Sequence, residues 1–182
     1  MRGDLAQWGS ELAEFIATIS ALQTEPFLGD VAKAEWALHT AATAADQAAD
    51  LATFVLLTEQ DASALTLQLA PGTALIHSNY PIASVLTAHL YAAPSFVEVG
   101  QKLRQTTPEI ALVWRQGLRP MVASCTTGEA DFISHLQAGK SLLAAIETTS
   151  TDDSANDLLN FDFNVWLSKA VQSGLLLNAH LL

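Results

Sequence analysis

Glu35 and His39 stand four residues apart in a stretch of helical character, so one helix face would carry both. A carboxylate beside an imidazole is the start of a metal site or of an acid–base pair. Either needs a third group. The other histidines, His77, His89, His135 and His180, are dispersed, with none at close ligand spacing from another. The pattern therefore favours a structural use. Glu35 is expected to reach a cation such as Arg115, with the indoles of Trp36 and Trp114 packed beside the pair. Glu35, Trp36, His39, Tyr80 and Trp114 are then the expected junction between two parts of the chain.

Cys125 is the single cysteine, so there is no intrachain disulfide and no paired-thiol metal or redox motif. It lies just before a helix start, where a thiol pKa can fall, but a buried, inert thiol is the expected state. The chain has no Gly-x-Ser-x-Gly, no phosphate loop and no Gly-x-Gly-x-x-Gly. Carboxylate pairs occur, as in any acidic protein, at spacings that specify nothing. We expect no catalytic residue, no metal and no cofactor, and hence a protein that is not an enzyme.

The elements around these residues follow from periodicity. Leu5–Leu22 predicts an amphipathic helix, with Trp8, Leu12, Phe15, Ile16 and Ile19 on one stripe. Asp30 is placed to cap a second helix over about Val31–Gln47, and a short third helix is expected at Ala48–Leu57. Leu65–Leu69 alternates with period two, as a half-buried strand does, and Pro71-Gly72 turns the chain into a strand at Thr73–Ser78. Pro81 suits the first turn of a helix reaching about Tyr91. Ala92–Thr107, broken by Pro94 and Gly100, reads as a loop with at most one helical turn.

Glu109–Trp114 and Leu118–Ser124 predict two strands joined at Gln116-Gly117, with Pro120 favouring an edge position in the second. Thr126-Thr127-Gly128-Glu129 is a capping box that opens a helix over Phe132, Ile133 and Leu136, ended by Gly139. Leu142–Thr148 predicts a second short helix, and Thr149–Asn160 a mobile polar loop. Phe163–Ser173 predicts a third helix with Trp166 inward, and Leu175–Leu177 a closing strand. The expected fold class is α+β. An N-terminal helical bundle, residues 1–62, packs on a winged-helix-like domain with a small antiparallel sheet, residues 63–182.

Half of the 182 residues are hydrophobic, ample for a buried core. The net charge of -11 makes the chain a poor generic binder of polyanions, because phosphate contacts need Lys and Arg. Lys102, Arg104, Arg115 and Arg119 nevertheless fall in one stretch and predict a local basic face. No apolar run approaches a membrane span, and the N-terminus lacks the basic and apolar regions of a signal peptide, so a cytoplasmic protein is expected.

The block from Glu109 onward, a strand pair, three helices and a strand, resembles the winged-helix peptide-binding fold of PqqD, the RiPP recognition element. Across most of the chain, Trp8-Gly9, Phe27-Leu28-x-Asp30-Val31-Ala32, Glu35-Trp36-Ala37-Leu38-His39, Tyr80-Pro81-Ile82 and Val113-Trp114-Arg115-Gln116-Gly117 follow one another in order. Together they resemble the HvfC/BufC-like family, whose customary label names a DNA-binding domain. The resemblance implies a bacterial partner of a multinuclear iron oxidative enzyme that modifies cysteines in ribosomally made peptides, and a binder of the precursor's leader peptide. It also implies that the helical N-terminal domain usual in that family is missing here, because the chain opens close to Trp8-Gly9.

Leader capture by strand addition along Leu118–Ala123, against the third helix, would use Arg115, Arg119, Val122, Trp166 and Lys169. A DNA-binding regulator is the alternative. The third helix disfavours it, having Lys169 as its only cation and Asp162 at its start. A structural or assembly module without a ligand is the third reading.

Overall fold

The computed structural model describes residues 9–151 and 161–182. The chain is α+β, with two antiparallel sheets. Three strands, β2 (Ala74–Ser78), β3 (Glu109–Gln116) and β4 (Arg119–Cys125), form one sheet in the order β2-β3-β4. The other sheet pairs β1 (Leu65–Leu69) with β5 (Leu176–Leu181).

The β3–β4 hairpin sets the geometry of everything around it. Gln116 pairs with Arg119, so only Gly117 and Leu118 form the loop. Gly117 has φ +59° and Leu118 an ordinary negative φ, the backbone of a type II′ turn. The strand period of two then sends Trp114 to one face of the sheet and Arg115 to the other. Ala111 and Val113 of β3 join Val122 of β4 against helices α2 (Leu28–Thr43) and α4 (Ile82–Tyr91). Leu112 and Trp114 face the opposite way, into a core with α6 (Thr127–Gln137), α7 (Leu142–Thr151), α8 (Phe163–Gln172) and the β1–β5 pair.

On the α2/α4 face, alanines let the helix lie close to the sheet: Ala34, Ala37 and Ala41 are all buried. The β1–β2 turn presses against the same helix. A Cβ on Gly72, which has φ +78°, would come within 2.7 Å of Ala41 Cα, so both space and conformation demand glycine. Two polar locks complete this face. Glu109 accepts hydrogen bonds from the Ser84 amide (2.8 Å) and hydroxyl (2.5 Å) and from Lys102 Nζ (2.8 Å). That ties β3 to α4 and to α5 (Phe96–Arg104). Arg115 donates to the Asp46 carboxylate, to the Ala44 carbonyl and to Gly117 O (2.6 Å), fixing the chain just after α2.

The other face is held by aromatic packing. Phe132 is fully buried, with its ring centroid 4.8 Å from Trp166, 5.1 Å from Phe161 and 5.7 Å from Phe163. The Trp114 indole N–H donates to the Ser173 carbonyl at 2.9 Å, which ties β3 to the end of α8. The predicted capping box of α6 forms, and α8 is capped as well. Thr126 accepts from the Glu129 amide while the Glu129 carboxylate accepts from the Thr126 amide, and Asp162 accepts from the amides of Asn164 and Val165.

Several expectations are corrected. Ala92–Thr107 contains a full helix, α5. It opens with a second capping box, in which Ser95 and Glu98 satisfy each other's amides. The first described helix, α1, covers only Leu12–Thr18 and gives way to a 3-10 turn at Ser20–Leu22. Its Phe15 is 60% exposed, not a core residue, while Trp8 lies outside the described residues. Asp30 does not cap α2 but sits within its first turn, bonded to Lys33 and to the Ser78 hydroxyl.

The expected helix at Ala48–Leu57 is a 3-10 turn, Leu51–Val55, running into the single turn α3 (Leu56–Glu59), and both pack on β5. Thus α1 packs on α2, but α2 also lies on the sheet and on α4. β1 is buried on nearly its whole length, because the Thr66 side is also covered, the hydroxyl donating to Lys140 O. The closing strand runs to Leu181 and pairs with β1. Thr149–Thr151 finish α7, and the rest of the expected mobile loop lies outside the described residues.

Candidate peptide-binding groove

β4 is an edge strand, so its outward-facing amides decide whether another strand can add to it. The closing pair of a two-residue hairpin, here Gln116 with Arg119, exchanges hydrogen bonds, and the pairs alternate from there. The backbone of Pro120, Val122 and Ser124 therefore faces away from β3. Pro120 has no N–H to offer, and its outward position removes no ladder bond. The Val122 amide donates to the Tyr91 hydroxyl at 3.3 Å. Among the described residues, the edge opens only at Ser124, which is exposed. β4 is thus closed at its hairpin end by Pro120 and Tyr91, and open at its α6 end.

Beside that open end lies a groove of about 190 Å³ between β3–β4 and α8. Its floor is apolar, from Leu112, Trp114, Ala123, Trp166 and Ala170, and Glu129 and Lys169 are its ionisable walls. Lys169 is exposed and takes part in no ion pair among the described residues. A groove of this size holds one medium apolar side chain, with a sheet edge on one side for backbone bonds.

The sequence-derived candidates divide. Lys169 and Trp166 line the groove, Trp166 as a buried wall braced by Phe132. Arg119 is exposed at the hairpin end, its guanidinium carbon 5.9 Å from the Tyr91 ring centre. Arg115 and Val122 are corrected. Val122 points into the α2/α4 core, because it shares its face of the sheet with Val113. Arg115 is buried on that same face and is committed to Asp46 and Ala44. Of the four cations of the expected basic face, Arg115 pairs with Asp46 and Lys102 with Glu109, while Arg104 and Arg119 stay exposed.

The expected Glu35–Arg115 lock with two indoles is also corrected. Arg115 takes Asp46 as its carboxylate. Trp114 lies across the sheet from α2, while Trp36 stacks on His39 at 5.2 Å between ring centroids. Tyr80 does pack at the α2–α4 junction, its ring 6.4 Å from Phe27. Residues missed from sequence are Tyr91, Ser124 and Ser173. A tyrosine ending an amphipathic helix gives no local sign that its hydroxyl will meet a strand edge.

Two other polar arrangements bring reactive groups together. Ser84 Oγ lies 2.8 Å from Lys102 Nζ, a nucleophile–base pairing on paper. Ser84 is buried, its hydroxyl donates to Glu109, and no described cavity opens on it, so the group acts as a bracket. A cleft of about 500 Å³ at the end of the sheet is lined by Asp30, His77, Glu109, Cys125 and Thr126 among others. Its carboxylates already hold partners within the chain. Burial, and secondarily the Glu129 charge, pushes the Cys125 thiol up to about 12, so a thiolate is not at hand there. No group of three His, Cys, Asp or Glu among the described residues is placed to hold a metal ion.

The fold and the groove define an α+β protein with a half-closed sheet edge beside an apolar slot. No family model, no curated protein and no solved structure matches this chain. Among the described residues, no helix is long and apolar enough to cross a membrane.

Proposed function

We propose that this chain is a non-catalytic adaptor that captures the leader of a ribosomally made precursor peptide for an iron-dependent modifying enzyme. The observation that carries the reading is the open Ser124 end of β4 set beside the apolar groove against α8. An extended peptide would pair its backbone with that edge and lower one apolar side chain between Trp114 and Trp166, with an acidic side chain near Lys169. A hairpin followed by three helices and a closing strand is the succession of a winged-helix recognition element, and the proposal extends that likeness to this chain. The charge of α8 supports peptide over DNA. Lys169 is its only cation and Asp162 caps its N-terminus, so a phosphate backbone would meet mostly acidic or neutral surface.

The test is calorimetric titration with the leader segment of the precursor encoded beside this gene, with duplex DNA as control at physiological salt. Binding in the micromolar range is expected, weakened about tenfold by Lys169→Glu and by Ser124→Pro, with no heat from DNA. Pro at 124 removes the outward amide while leaving the β3 ladder intact. Salt-sensitive DNA binding without peptide binding would overturn the reading and return the chain to the regulators.

A further inference from the structure

A second surface, on the opposite side of the sheet from the β4–α8 groove, has the features of a protein-docking site. Between α2 and α4 runs an apolar groove of about 410 Å³, with Val31 and Leu38 on one wall and Val85 and Leu90 on the other. It does not end at its rim. His89 meets the Phe96 ring edge-on at 4.9 Å, which carries the apolar surface onto α5. Leu90 near the end of α4 is 50% exposed, and Phe96 and Val97 at the start of α5 are 63% and 70% exposed. Leu90 lines the groove and Phe96 adjoins it through His89, so exposed apolar side chains beside an apolar slot mark a contact surface.

The charge selects the occupant. Glu35 is the one fixed charge in the groove lining, and no ion pair of the described residues involves it. His89, also in the lining, donates through Nδ1 to Val85 O at 2.8 Å. The whole chain carries a net charge of -11, so an acidic partner is repelled at long range and a cationic one is drawn in. Shape narrows the choice further. Leu28 to Leu38 spans roughly 15 Å of helix at about 1.5 Å per residue, which matches two to three turns of a docked helix. We infer that the α2–α4 groove binds a cationic amphipathic helix of a partner protein, its apolar stripe seated between Val31 and Leu90 and one Lys or Arg paired with Glu35.

This inference is independent of leader capture, because the two grooves lie on opposite faces of the sheet. The probe is a synthetic 14-residue amphipathic helix of Leu and Lys, with a Leu/Glu counterpart, titrated into the full chain by calorimetry and by amide NMR. Saturable binding of the Leu/Lys helix is expected, with shifts confined to α2, α4 and the start of α5, and none from the Leu/Glu helix. Leu90→Asp is the decisive variant. It adds negative charge, so it would strengthen diffuse electrostatic attraction but should weaken seated binding at least about tenfold. Glu35→Gln, at an exposed position, should weaken it about threefold. Binding that Leu90→Asp leaves intact or strengthens would overturn the inference. So would shifts centred on β4 and α8. A dimer of the chain alone that Leu90→Asp dissolves would assign the groove to a second copy and overturn it equally.

Discussion

The two faces of the β2-β3-β4 sheet are joined to their helices by different physics. Toward α6 and α8 the contact is aromatic and dry, with Phe132 at the centre of a ring cluster and one indole hydrogen bond to Ser173. Toward α2 the contact is alanine against sheet, while α4 adds the buried side chains of Ile82 and Leu86, and two charged brackets at Glu109 and Arg115 fix the orientation of this face. Burial is non-directional and charge-assisted hydrogen bonds are directional. The first face carries the larger apolar cluster, and the second adds directional brackets that set where its helices lie.

The comparison can be broken by mutation. Phe132→Ala should cost about 3–5 kcal/mol in denaturant unfolding, because its ring is fully enclosed. If Arg115→Met costs as much, the division between the faces is wrong. Cys125, at the border of the aromatic face, offers a kinetic check. Its thiol, pushed up to about 12 chiefly by burial, should alkylate at pH 8 much more slowly in the folded chain than in urea. The folded pKa lies above the unfolded one, so this group's contribution to stability is complete below about pH 9 and is lost as pH rises from there toward about 12.

Arg115→Met should cost about 1–3 kcal/mol, chiefly through the orphaned Ala44 carbonyl. Asp46 is 79% exposed, so Asp46→Asn should be nearly silent in the same unfolding assay, and a large effect there would show that the ion pair itself matters. Thr126→Ala should cost about 1 kcal/mol by loss of the α6 cap. The smallest effect is expected at Tyr91→Phe. Freeing the Val122 amide lengthens the open edge of β4, so the same leader peptide should bind about threefold more tightly by calorimetry.

Local signals were legible where one short range of residues holds the whole cause. The Gly117 turn, the Thr126–Glu129 box and the Asp162 cap all follow from contacts within a few residues. The box at Ser95–Glu98 has the same form as the one at Thr126, but the Pro94 and Gly100 beside it read as breakers. Gly100 is tolerated inside α5, where a Cβ would meet only Arg104, at 3.4 Å. The groove was half legible. Trp166 and Lys169 could be placed from the α8 periodicity, whereas Val122 could not. A strand alternates its faces, and the pattern Arg-Pro-Met-Val-Ala-Ser-Cys is apolar enough on both sides to leave the inward one unmarked.

By itself the sequence determined the α+β class, the starts of α6 and α8 and the hairpin, because caps, turns and periodicity act over a few residues. It also determined the acidic character of the chain. Tertiary structure alone decided that β5 pairs with β1. It alone decided that Asp46 rather than Glu35 takes Arg115, and that Tyr91 closes half of the β4 edge. Each of these joins residues roughly thirty or more positions apart, and such meetings depend on how the layers stack. No local pattern carries that information.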